Sequence, residues 1–272
     1  MNHLLFIGSC VGIGAFSGFL GGLLGIGGGV VIVPLLIVLL DLLGFLPPAD
    51  VTAVAVATSL GCVLFTSLSA AYTQMRARMV EWPIVRRWTP FLVLGSFLSG
   101  WVATALPVAV FRGFIGIFLL FVAFVMLTHW RPSAHQQPPG LGLAAALGSA
   151  GGLVSGMAGI AGGNVVVPTL VYFNVPVHRA TATSSTLGVP VALAGVLGYV
   201  SVGLGEDLGA GMVGYFYVPG FLAIVSAAIL TAPLGVKVAH AVAAQPLRRA
   251  FGVLLVFVSG RMLYSAGVGA IS

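Results

Sequence analysis

Acidic and basic residues are so sparse along this chain that it resolves into long uncharged blocks: 4–40, 51–75, 88–111, 113–130, 141–177, 180–205, 208–236 and 250–260. Crossing the hydrocarbon core of a bilayer as a helix takes roughly 20 apolar residues. Every block reaches or approaches that length except the last, which Arg261 interrupts. The pattern predicts an all-α, polytopic transmembrane bundle. Two blocks, 4–40 and 141–177, are too long for one crossing: residues 4–40 as a single helix would run about 55 Å, against about 30 Å of hydrocarbon. Each carries a glycine cluster, so each is expected to be a helix, an unwound turn and a shorter second helix. Pro34 and Pro168 suit the first turn of the restarted helices, where no intrahelical amide is required. Such a pair re-enters or crosses twice, and in both cases returns the chain to the side it came from.

The two clusters are copies of one motif. Gly25, Ile26, Gly27, Gly28 and Gly29, then four residues and Pro34, recur as Gly159, Ile160, Ala161, Gly162 and Gly163, then four residues and Pro168. Downstream of each lies a hydroxyl cluster, Thr58 and Ser59 in the first copy and Thr183, Ser184, Ser185 and Thr186 in the second, and each copy closes with a similar helix starting near Arg112 or Arg249. Self-similarity of this kind marks a duplication. The expected organisation is a first repeat at 1–131, a proline-containing linker at 132–140 and a second repeat at 141–272, each repeat a glycine-broken helix pair followed by three transmembrane helices.

Composition agrees with a lipid environment: 59% of the 272 residues are apolar and 6% charged, where a soluble domain carries about a quarter charged residues. The net charge of +6 is therefore a topology signal in loops rather than a nucleic-acid patch. If 141–177 turns back, Arg76, Arg78, Arg86, Arg87, Arg131, Arg179, Lys237, Arg248 and Arg249 share one face and Arg112 stands alone on the other. That imbalance is what the positive-inside rule requires of a cytoplasmic face. Applying the same reversal to 4–40 gives two inverted-topology repeats, a multi-pass protein of a bacterial-type inner membrane with both termini, Asp41, Asp50, Glu206 and Asp207 periplasmic. The start lacks a basic signal-peptide region, so the first apolar block is expected to stay in the fold. A homo-oligomer is compatible with this plan.

An unwound turn at membrane depth persists only where protein, water or ligand satisfies its backbone. A helix restarting beside it aims free amides and the positive dipole end at the turn, which favours an anion. Two opposed turns would gather Gly27, Gly28, Gly29, Gly162, Gly163 and Asn164 around one centre, with hydroxyls from Thr58, Ser59, Thr183, Ser184 and Thr186. A ring of neutral donors suits a tetrahedral or pyramidal oxyanion and permits its release. Competing readings exist for each residue. Glycine clusters also serve helix packing, membrane hydroxyls also bond back to the preceding turn, and Asn164 also suits a turn. Arg261 is an intramembrane charge or snorkels to the surface. The histidines sit near segment ends, and Cys10 and Cys62 lack metal spacing. Ser155 has no histidine at matching depth, so an intramembrane serine enzyme is not expected.

The paired motifs, each followed by an Ala-Thr-Ser element, resemble the sulfite exporter TauE/SafE family over nearly the whole chain. That resemblance implies a transporter, not an enzyme, that carries sulfite, sulfonates or related small sulfur-containing anions outward without a bound cofactor or metal. It supports Gly25, Gly27, Gly28, Gly29, Pro34, Gly159, Gly162, Gly163 and Pro168 as motif positions. Ala161 replaces Gly27 and Asn164 replaces Val30 between the copies, so an asymmetric grip on the substrate is expected. A passive anion channel, or a carrier of another small anion, is the alternative.

Overall fold

A computed structural model of the chain describes residues 2–24, 28–44, 46–128, 140–160, 162–206, 208–241 and 244–269. Gly25, Gly27, Ala161, Arg131, Asp207 and positions 132–139 of the linker lie outside the described residues, as do the side chains of Asn164 and Arg248.

Among the described residues there are ten helices: α1 (Asn2–Leu24), α2 (Gly29–Leu43), α3 (Pro48–Arg76), α4 (Trp82–Ala105), α5 (Val108–Thr128), α6 (Leu141–Met157), α7 (Gly163–Tyr172), α8 (Val177–Gly203), α9 (Val218–Ala241) and α10 (Ala244–Gly269). Six of them, α3, α4, α5, α8, α9 and α10, are long and apolar enough to cross a membrane. Both overlong blocks are interrupted where the glycines fall, giving α1 with α2 and α6 with α7. Local signals set the ends. Pro47 and Pro176 precede the first residues of α3 and α8 in extended conformation, the geometry that residues before a helix favour. Gly44 closes α2 with φ +63 and its amide on the Leu40 carbonyl.

Two expectations about these elements are corrected. Pro34 and Pro168 lie inside α2 and α7 rather than in their first turns, because the helices begin five residues earlier, at Gly29 and Gly163. Each proline therefore withholds the amide that the carbonyl four residues earlier, that of Val30 or Asn164, would have received. The uncharged run 208–236 is also not one helix. Met212–Val213 (β1) pairs antiparallel with Phe216–Tyr217 (β2) before α9 begins. The Phe216 ring lies over Gly61 of α3 and 5.1 Å from the Phe221 ring, which seats this hairpin against the bundle.

The bundle is centred on α3 packed against α8. Within the most apolar 18-residue stretch of each spanning helix, α3 is 78% and α8 56% buried, against 39% or less for the others, so these two form the interior and the rest lie around them. Around them, α1 packs on α9, α6 on α4 and α5 on α10. Each half thus lays its opening helix against the fourth helix of the other half. Gly95 of α4 and Gly235 of α9 meet backbone of α6 and α1 at these contacts, closer than any side chain would allow.

Candidate functional site

The two glycine turns end one helix and begin another, and the second shows how. Gly159, at φ +69, is the left-handed residue just past the α6 C-cap Ala158. Its amide donates to the Gly156 carbonyl (3.3 Å) and the Ile160 amide to the Ser155 carbonyl (3.0 Å). That double bond pattern is a Schellman closure, which requires positive φ and so selects glycine. Gly162, at φ +81, then caps α7, and its carbonyl accepts from the amides of Val165 (3.0 Å) and Val166 (2.7 Å). Gly28 caps α2 in the same way, accepting from Val31 and Ile32, both at 3.0 Å, but with a right-handed φ of −72. Neither cap residue supplies a side-chain hydrogen bond. The amides of Gly29, Val30, Gly163 and Asn164 fall in the first turns of α2 and α7, where helix geometry provides no intrahelical acceptor, at the positive ends of two helix dipoles.

The turns meet. A methyl group on Gly29 would lie 2.6 Å from the Gly159 carbonyl oxygen and 3.1 Å from the Ile160 side chain, so backbone from the two halves is in direct contact. Ser59 joins them: its Oγ donates to the Gly159 carbonyl at 2.9 Å, across 100 residues of sequence, and both side chain and bond are buried. Gly28, Gly29, Ser59 and Gly159 therefore form one assembly, with Gly162 and Gly163 following on. Among the described residues, every fully buried polar side chain apart from Tyr199 is a serine or threonine, so this interior holds no buried charge.

The remaining candidate hydroxyls serve other ends. Thr58 Oγ1 accepts from the Tyr217 amide (3.2 Å), and Thr183 Oγ1 from the Glu81 amide (3.0 Å). These matched threonines brace the segments that lead into α9 and α4. Thr186 bonds back to the Ala182 carbonyl (3.1 Å). Ser184 is buried and its hydroxyl has no partner among the described residues, as is also true of Ser155. Arg261 is exposed on α10. Sequence reasoning gave Ser155 no binding role. The signal was its position four residues before Gly159, one helical turn back on α6.

Charge gathers at the ends of the bundle. Arg112 donates to Asp41 (2.8 Å) and, through Nε, to Thr52 (3.1 Å). Asp50 lies beside Tyr215 and Glu206, and burial, together with the two carboxylates, pushes the Tyr215 phenol above its ordinary range. Elsewhere, Arg179 pairs with Glu81, which brings the start of α8 to the α3–α4 connection. No group of side chains suited to a metal ion occurs among the described residues. An apolar groove between α4 and α6, lined by Leu94, Leu98, Val102 and Leu153, includes no residue of either turn.

The family model described as sulfite exporter TauE/SafE matches residues 10–262. A Haemophilus influenzae protein named "Probable membrane transporter protein" is 27% identical, over 94% of this chain and 98% of its own length. Proteins with corresponding names from Methanocaldococcus jannaschii (28% identical, 91% of each chain) and Bacillus subtilis (26% identical, 93% of this chain and 95% of the other) are similar along comparable lengths. No solved structure matches.

Proposed function

The chain belongs to the sulfite exporter TauE/SafE family and is a multi-pass membrane transporter, and from that premise we propose that it is a secondary carrier exporting a small sulfur-containing oxyanion, sulfite or a sulfonate, by alternating access. The observation that carries the reading is the contact between the two glycine turns, where short helices without side-chain caps begin in an interior that buries no charge among the described residues. Amides and hydroxyls there would hold an oxyanion from several directions, while the lack of a fixed cation keeps it from being trapped.

In this proposal the halves are inverted repeats and the anion sits near the midplane, between them. The exchange of opening helices between halves supports a two-fold relation. The pairing of Arg179 with Glu81 supports a common face for 76–87 and the start of α8, which the positive-inside rule makes cytoplasmic. Asp41, Asp50, Glu206, Arg112 and both termini are then periplasmic, and the membrane is the inner one.

The test is counterflow. Proteoliposomes preloaded with unlabelled sulfite should accumulate labelled sulfite transiently, with saturable rates that empty vesicles lack. Linear, non-saturating flux would identify a passive channel. Absence of flux for both sulfite and simple sulfonates would refute the substrate assignment.

A further inference from the structure

The two turns are not equivalent as binding sites. The start of α2 is packed shut: a β-carbon on Gly29 meets the Gly159 carbonyl at 2.6 Å, Val63 at 2.8 Å and Ile160 at 3.1 Å. The start of α7 is open among the described residues, since a β-carbon on Gly163 has none of their atoms within 4 Å. Beside that space stands a second, independent feature. The Ser155 side chain is wholly buried, and its Oγ has no hydrogen-bond partner among the described residues. It lies 3.5 Å from the β-carbon position of Gly162, with its own Cβ further off at 4.0 Å, so the hydroxyl is directed at the α7 cap.

An unpartnered buried hydroxyl is costly, and helical serines normally discharge it by bonding to a carbonyl one turn earlier. Ser17, Ser99 and Ser259 do so, to Gly14, Ser96 and Leu255. Ser155 does not, although it sits in the same kind of apolar helix. We propose that the substrate anion binds at the amino end of α7, with the Gly163 and Asn164 amides on one oxygen set and the Ser155 hydroxyl donating to another, and that the first turn serves as a packed wall. This deepens the carrier assignment and rests on it. The ligand class is an oxyanion with at least two oxygens on one centre, because amide and hydroxyl donors approach from different directions.

The test uses the full chain in proteoliposomes and in detergent. Ser155→Ala removes only a hydroxyl that bonds to no group among the described residues, so the ligand-free protein should melt at or above the wild-type temperature. A hydrogen bond to a charged group being strong, the KM for sulfite exchange should rise about tenfold or more, with a smaller change in kcat. Gly163→Ala, which fills the open space, should also raise KM without loss of fold. Ser259→Ala, whose hydroxyl bonds within α10, should leave KM unchanged. A wild-type KM in both Ser155→Ala and Gly163→Ala, with wild-type protein active, overturns this inference and leaves the carrier assignment standing. Wild-type protein that neither transports sulfite and sulfonates nor is thermally stabilised by them overturns both.

Discussion

Replacing Gly29 by alanine drives a methyl group of one half into the backbone of the other. The new β-carbon would lie 2.6 Å from the Gly159 carbonyl oxygen and 2.8 Å from Val63 Cγ2, whereas carbon contacts are at their optimum at about 3.5–4.0 Å. Val63 has some freedom to move. The Gly159 carbonyl has little, being held by Ser59 and set in the closing turn of α6. Overpacking of this kind costs about 1–3 kcal/mol, and the helix-propensity gain of alanine over glycine returns at most about 1 kcal/mol. With the full return the net loss is about 1 kcal/mol at mid-range, a fall of roughly 2–4 °C in melting temperature for a chain of this size. Gly163→Ala is the internal control: it occupies the matching motif position with no atom of the described residues within 4 Å and should melt with wild type. The assay is thermal unfolding of purified protein in detergent, both variants side by side. Equal melting of Gly29→Ala and wild type would refute the contact between the turns.

Ser59→Ala should destabilise by about 1–3 kcal/mol, because it leaves the buried Gly159 carbonyl without its donor; denaturant titration reads this, and a wild-type midpoint would contradict it. Arg112→Ala should cost more than Arg179→Ala in the same titration. The Arg112 side chain is 12% exposed and also holds Thr52, whereas Arg179 is 48% exposed and solvent screens its pair with Glu81. For Tyr215, whose phenol is pushed up by burial and by Asp50 and Glu206, folding favours the protonated form. Its contribution is complete below the ordinary tyrosine range and is lost as pH climbs above it. Stability should therefore stay level through neutral pH and drop beyond about pH 10, more gently in Tyr215→Phe; an identical alkaline drop in that variant would assign the effect elsewhere.

Much of the fold was legible because membrane thickness turns block length into crossings. Residues 4–40 could not be one helix, and the chain is interrupted where its glycines cluster. The motif keeps its spacing through Pro34 and Pro168, and helices restart at the matching positions Gly29 and Gly163. What a run of apolar residues does not carry is where a hydroxyl finds its partner. Thr58 and Ser59 are neighbours, yet one binds an amide 159 residues away and the other a carbonyl 100 residues away. The mirrored role of Thr183, on the Glu81 amide, depends on how α8 and α4 pack. Likewise the prolines did not mark the first turns: α2 and α7 begin at Gly29 and Gly163, which puts Pro34 and Pro168 in the second turn. The hairpin at 212–217 carries no charge, and what distinguishes it from a crossing is the glycines Gly209, Gly211 and Gly214, all at positive φ.

The claim on which the account turns is that backbone amides at the restarted helices receive the anion. Hydrogen exchange by mass spectrometry on the reconstituted protein, with and without saturating sulfite, reads those amides directly. Peptides covering residues 159–168 should exchange more slowly with sulfite present, while peptides from α5 and α10 stay unchanged. Protection confined to the charged ends, around Arg112 and Asp41 or around Glu81 and Arg179, would contradict the account and move the anion to the ion pairs.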